Sequence, residues 1–236
     1  MKFIKRIFTI FFFTFLGILI FSSPVSRHAH SKEPEILKDS VKLSRQEDVP
    51  IVTVKKEEEP KGHAVPITMY SQHDPAWSSY LYGGIDPMTT HGCGPTALAM
   101  AVSSLSDTAI TPVDAAQWSA TNGCYSPNNG SVHALIPNGA ASYGLRVEKL
   151  SQLTPDAFRS ALSFDKLLVL LMGPGDFSDS GHFIIAYGYD ENGSILVADP
   201  ASEERSSMHW SAEVLISQLS TYAKNGGPVW VLSKPE

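Results

Sequence analysis

Apolar residues are spread unevenly along the chain. After Met1-Lys2-Phe3-Ile4-Lys5-Arg6 the sequence is almost wholly apolar through residue 21, whereas residues 27–62 carry apolar side chains only in ones and twos, such as Ile36-Leu37 and Ile51-Val52. Beyond residue 63 the pattern becomes that of a folded domain. Leu98, Val102 and Leu105 recur at helical spacing and predict an amphipathic helix opening near Cys93-Gly94-Pro95. Thr111-Pro112-Val113-Asp114 joins a capping hydroxyl, a first-turn proline and a carboxylate, and predicts a helix closed by Gly123. Thr154-Pro155-Asp156 repeats that signal. Ser211 predicts a helix running to about Lys224, with Gly226-Gly227 as its stop.

Strands are predicted in the second half. Lys166 to Met172 is a short, nearly continuous apolar run, as expected of a strand buried on both faces. The runs from Phe183 to Tyr189 and from Ser194 to Ala198 flank Asp190-Glu191-Asn192-Gly193, a strong hairpin signal. Val229-Trp230-Val231-Leu232 predicts a last strand. Helices followed by an antiparallel sheet make an α+β domain, and no internal repeat at solenoid periods interrupts it.

Charge sharpens the division into segments. A basic start followed by about 15 apolar residues has the form of an export signal. As a helix those residues would span only ~22 Å, short of the ~30 Å hydrocarbon core. Extension to Val25 would let the segment cross, so residues 1–26 are expected to be a signal peptide or an N-terminal membrane anchor. Residues 27–62 hold 8 basic and 8 acidic side chains. Such a stretch cannot bury enough surface to offset its chain entropy, so a charged flexible linker is expected. The remaining residues 63–236 hold 7 basic and 16 acidic side chains, a charge of -9 within a chain total of -6. That excludes a phosphate-binding footprint, so no nucleic acid partner is expected. The domain's charge would weakly favour cationic peptides by steering.

The densest candidate chemistry lies at His91-Gly92-Cys93-Gly94-Pro95-Thr96. A cysteine at a helix start meets the positive end of the helix dipole, which favours the thiolate. Its two glycine neighbours would leave room for a substrate backbone, and backbone N–H groups there can receive an oxyanion. The bland alternative is a small buried residue. A thiolate nucleophile needs a base and something to orient that base, and the hairpin supplies both. If Asp190 to Gly193 form a four-residue turn, Tyr189 pairs with Ser194 and His182 comes opposite Ala201. Asp199 then shares a face with His182, and any even turn length preserves that parity. The alternative for Asp199-Pro200 is simply the end of a strand.

His91-Gly92-Cys93-Gly94-Pro95-Thr96-Ala97-Leu98-Ala99-Met100, with the block from Gly181 to Tyr189 and Val197-Ala198-Asp199-Pro200, resembles the bacterial C39-like peptidases. The resemblance covers roughly residues 65–232. It implies a papain-like cysteine peptidase fold, with Cys93 as nucleophile, His182 as general base and acid, and Asp199 as the orienting residue. The segment from Pro66 to Trp77 is similar to the family's block carrying an oxyanion-donating glutamine, which nominates Gln72, although the 21 residues to Cys93 exceed the gap of the bacteriocin-exporter peptidases. The substrate implied is a peptide or a cell-wall peptide.

His91 is expected to shape the loop, His73 to serve a turn or touch substrate, and His133 and His209 to be surface or satisfied core residues. Cys124 is expected to be a free or buried thiol. Two cysteines cannot build a four-thiolate site and His91-x-Cys93 lacks further ligands, so neither metal nor cofactor is expected. The leading expectation is an exported hydrolase, secreted or membrane-anchored with its domain outside, touching the membrane only through its N-terminal segment. The alternatives are a cell-wall amidase or acyltransferase with the same triad, or a noncatalytic surface binding module.

Overall fold

The computed structural model describes residues 62–163 and 165–234. The expected export segment and nearly all of the expected linker lie outside the described residues. Among the described residues, no helix is long and apolar enough to cross a membrane.

The helices are α1 (Met88–His91), α2 (Cys93–Leu105), α3 (Pro112–Thr121), α4 (Leu135–Ser142), α5 (Pro155–Ala161), α6 (Glu203–Ser207) and α7 (Ala212–Ser217). The strands are β1 (His63–Ala64), β2 (Leu81–Tyr82), β3 (Asp86–Pro87), β4 (Tyr125–Ser126), β5 (Gly130–Ser131), β6 (Arg146–Lys149), β7 (Lys166–Met172), β8 (His182–Tyr189), β9 (Ile195–Ala198), β10 (His209–Trp210) and β11 (Val229–Ser233). A seven-stranded antiparallel sheet runs β10-β9-β8-β7-β11-β6, with β1 added to the far end of β8. This is the α+β arrangement expected from the sequence.

The central strands are buried on both faces, as the unbroken apolar run of β7 requires. Leu167, Val169, Leu171, Phe183, Ile185, Trp230 and Leu232 pack with α2 and α4 through Leu98, Leu105, Leu135 and Ile136. Their neighbours Leu168, Leu170, Met172, Ile184, Val229 and Val231 pack on the other side with Phe158 of α5 and Leu215 of α7. The period of two along each strand thus sorts one apolar run into two cores. Thr111 caps α3 in a reciprocal capping box with Asp114, and Thr154 caps α5 from its hydroxyl.

One helix is shorter than expected. Ser211 does cap α7, but the helix ends at Ser217 rather than near Lys224. The chain beyond it is drawn onto the end of β7. Ser220 N–H donates to the Leu171 carbonyl at 2.9 Å, Gly173 N–H donates to the Gln218 carbonyl at 2.7 Å, and Leu219 bridges to Met172. Pairing with a sheet edge satisfies these backbone groups as well as another helical turn would.

Candidate active site

Cys93 is the first residue of α2. Its backbone N–H is therefore one of the four at a helix start that have no intrahelical acceptor. The two glycines beside it serve the protein's own packing. A Cβ on Gly92 would stand 2.4 Å from the Met88 carbonyl oxygen, and one on Gly94 would stand 2.4 Å from Ser131 Oγ. The expectation that they leave room for substrate is therefore replaced: they let α1 and β5 close on the cysteine. Ser131 is held in turn by the buried Tyr82 hydroxyl at 2.9 Å.

His182 opens β8, and Asp199 follows β9 directly. The register that joins them reaches the expected pairing by a different route. The turn has five residues, 190–194, so that Tyr189 pairs with Ile195 and Gly188 with Leu196. Tyr187 then forms a bulge, after which Ala186 pairs with Val197 and Ile185 with Ala198. An odd turn would have turned Asp199 to the opposite face, and the single extra residue restores the parity. The Asp190 carboxylate fixes the longer turn by accepting the N–H groups of Asn192 and Ser194 at 2.8 and 2.9 Å.

His182 and Asp199 are both buried, and His182 Nε2 lies 2.7 Å from Asp199 Oδ1. An ionised carboxylate only accepts, so Nε2 carries the proton and Nδ1 is the nitrogen left for the thiol. Burial alone would raise the thiol of Cys93. The hydrogen bond and charge of His182, helped by the backbone N–H groups of Phe183 and Gly94, outweigh that and pull it below the ordinary thiol range. Burial likewise disfavours the imidazolium, yet the hydrogen bonds to Asp199 and Cys93 and their charges raise His182 to about 9. The pair is thus arranged as thiolate and imidazolium.

Asp199 has partners beyond the histidine. Oδ1 also accepts the N–H of Ala201 at 2.8 Å, and Oδ2 accepts Arg205 Nε at 2.6 Å. Burial raises this carboxyl, but His182, then Arg205 and the Ala201 N–H, hold it below the usual carboxylate range. Arg205 is itself fixed: Ser202 caps its short helix, its guanidinium lies over the Phe177 ring at 5.8 Å, and its carbonyl accepts Trp210 Nε1 at 2.9 Å. Sequence reasoning missed Arg205. Its only signal is an arginine six residues after the aspartate, inside what reads as an ordinary charged surface run.

Gln72 is buried and anchored at both ends. Its N–H donates to the Pro200 carbonyl at 2.8 Å, beside Asp199, and its Nε2 donates to the Thr89 carbonyl at 2.8 Å, four residues before Cys93. One carboxamide hydrogen therefore remains, and Oε1 is buried with no hydrogen-bond partner among the described residues.

Three other histidines have hydrogen-bond partners outside the Cys93, His182 and Asp199 series. His91 Nδ1 meets Thr90 Oγ1 and His73 Nδ1 meets Thr89 Oγ1, each at 2.8 Å, and His209 pairs with Asp190 at 2.6 Å on the surface. Cys124 is free and buried. Beside Cys93 runs a groove of about 320 Å³ whose walls include Asn128, Asn129, Ser131, His133, Ser180 and Phe183. The Asp86 carboxylate shapes it by accepting the Asn128 N–H and the Tyr125 hydroxyl, each at 2.8 Å.

Residues 66–231 match the Peptidase_C39 like family, a span that includes all four residues nominated above. The chain belongs to this family. It is accordingly a cysteine peptidase. This C39-like peptidase shares its fold with a C39-like peptidase from Bacillus anthracis, at 12% identity, a TM-score of 0.51, and coverage of 75% of this chain and 100% of that one. The peptidase domain of Streptococcus ComA, a bi-functional ABC transporter of a quorum-sensing pathway, aligns at 16% identity and a TM-score of 0.46 over 62% of this chain and 93% of its own. A double glycine motif protease from an AMS/PCAT transporter, solved with a leader peptide, aligns at 12% identity and 0.43 over 73% and 94%. No curated protein sequence matches the chain.

Proposed function

We propose that this C39-like peptidase is an exported hydrolase that cleaves a peptide or amide bond through an acyl-thioester on Cys93. The observation that carries the reading is the hydrogen-bonded series from the Cys93 thiol through His182 to Asp199 and Arg205, set at the start of α2. The thiolate attacks the carbonyl carbon. The developing oxyanion is received by the Cys93 backbone N–H and by the Gln72 carboxamide hydrogen that Thr89 leaves unused. The imidazolium gives its Nδ1 proton to the leaving amine, and the neutral ring then takes a proton from the water that hydrolyses the thioester. Asp199 holds the Nε2 proton throughout, which keeps Nδ1 the working nitrogen, and export follows from the basic and apolar start of the chain.

The test uses the contrast between the two thiols. Iodoacetamide should modify Cys93 much faster than Cys124, with a rate that rises through a depressed thiol pKa; equal slow labelling would count decisively against the reading. Mass spectrometry of a Cys93→Ser variant incubated with peptidoglycan or with casein-derived peptides should reveal the trapped acyl group. That mass also separates a peptidase from a cell-wall amidase.

A further inference from the structure

The groove beside Cys93 has a chemistry distinct from that of the domain as a whole. Among the described residues no Asp, Glu, Lys or Arg side chain lines it, although the domain carries -9. Away from the Cys93–His182 pair, an ionised substrate side chain seated there would lose its water and gain no countercharge. The groove offers instead hydrogen-bonding groups and an apolar wall formed by Leu171 and Phe183.

One lining residue is fixed in a single tautomer. His133 Nδ1 accepts the backbone N–H of Lys224 at 3.0 Å, and an accepting ring nitrogen carries no proton. The proton of the neutral ring is therefore on Nε2. Burial, then the nearby Lys224 charge, lowers the His133 pKa, which favours that neutral form. The ring stands edge-on to Phe183, with centroids 6.4 Å apart at 75°. Phe183 directly follows His182, and its own N–H reaches the Cys93 sulfur. His133 Nε2–H has no hydrogen-bond partner among the described residues, and the residue lines the groove.

We propose that His133 binds substrate, its Nε2–H donating to a main-chain carbonyl oxygen of an extended, uncharged peptide segment that lies in the groove against Leu171 and Phe183. The proposal rests on the reading of Cys93 as nucleophile. It also revises the expectation of cationic peptides, because the acidic side chains behind the net charge lie outside the groove.

Two substitutions separate binding from scaffolding. His133→Asn keeps an accepting oxygen near the place of Nδ1 for the Lys224 N–H and removes the donor. His133→Gln supplies an amide donor near the place of Nε2. Two electrophiles read the result on the intact chain: iodoacetamide, too small to use the groove, and acetyl-Ala-Ala-Ala chloromethyl ketone, which must lie in it. In His133→Asn the tripeptidyl reagent should inactivate about tenfold more slowly, the worth of one hydrogen bond, while alkylation of Cys93 by iodoacetamide stays within about twofold; His133→Gln should recover most of the loss. An equal fall with both reagents would make His133 a structural strut, and no change with either would take it out of the binding surface; both results overturn the proposal. Replacing the middle alanine of the reagent by lysine or by glutamate should slow inactivation in each case, and a gain with either charge overturns the uncharged assignment. Failure of iodoacetamide to prefer Cys93 over Cys124 in the unmodified protein would instead defeat the nucleophile reading, so the two failures are distinguishable.

Discussion

The surroundings of the two cysteines differ in the partners they give the sulfur, and those partners decide its chemistry. Both thiols lie in the helical half, both are penalised by burial, and the charge of either would act on the same Tyr82 hydroxyl. Among the described residues the Cys124 sulfur has only the Asn122 carbonyl as a partner, at 3.7 Å, and burial pushes its pKa up. Cys93 meets an imidazole and two backbone N–H groups, and its pKa falls in spite of burial. A buried thiol is inert by default, and a compensating cation makes it reactive. That cation is itself maintained by Asp199, which Arg205 holds in place, so the reactivity of Cys93 depends on residues more than 100 positions away in sequence.

The most direct way to abolish the difference is His182→Ala. With the cation gone, burial governs both thiols. Peptide hydrolysis should fall by about 10,000-fold, and the preference of iodoacetamide for Cys93 over Cys124 should collapse. Retention of that preference would mean that the start of α2 alone activates the thiol.

Asp199→Asn is the next largest. The wild-type carboxylate accepts from His182 Nε2, the Ala201 N–H and Arg205 Nε. An amide offers one oxygen and turns its NH₂ toward one of these donors, so kcat/KM should fall on the order of 100-fold. The imidazolium also loses its buried counterion, so the His182 pKa, followed by NMR of the ring, should drop from about 9. The stability linkage has a definite sign. His182 is raised in the folded state, so its contribution is complete below the unfolded value of about 6.5 and is lost as pH rises through about 9. Urea unfolding at pH 6 and pH 10 should show this pH-dependent loss in the wild type and much less of it in Asp199→Asn.

The meeting of His182 and Asp199 was legible in the sequence because strand parity is a strong constraint, yet the route to it was not. Nothing in Asp190-Glu191-Asn192-Gly193 announces that Ser194 joins the turn, nor that Tyr187 bulges to compensate. The bulge accompanies β1, whose Val65-flanked end crowds Gly188: a Cβ there would stand 2.1 Å from the His63 carbonyl oxygen. That contact spans 125 residues and leaves no local pattern. The early end of α7 is illegible for the same reason, since it depends on β7. Caps at Thr111 and Thr154 were legible because their partners lie three residues away. Gln72 could be nominated only through the family block, because its contacts with Thr89 and Pro200 are tertiary.

Arg205→Met sharpens the comparison without removing the cation. It leaves His182 and Cys93 in place, frees Asp199 Oδ2, and returns the full carboxylate charge to the imidazolium. The alkaline limb of the kcat/KM profile, which reports the thiolate–imidazolium pair as a unit, should therefore move upward from about 9. The rate at its optimum should fall about tenfold, as one charge-assisted hydrogen bond is lost, and Arg205→Lys should recover part of it. An alkaline limb that stays in place would reduce Arg205 to a strut for α6.

The smallest effect is expected at the other thiol. In Cys124→Ala the backbone still accepts the Val132 N–H at 3.0 Å and donates to the Ser119 carbonyl at 2.8 Å, so the loop that leads to the groove keeps its anchors. What is lost is a small buried sulfur, at a cost of about 1 kcal/mol of stability. Thermal unfolding should register that cost, while kcat/KM and the labelling rate of Cys93 should stay within about twofold. A larger change at Cys93 would show that the thiols communicate through Ser119, which accepts the Cys124 N–H and meets the Tyr82 hydroxyl, and through Ser131, which joins that hydroxyl to the glycine beside Cys93. Such a result would turn the contrast between two independent environments into a property of one network.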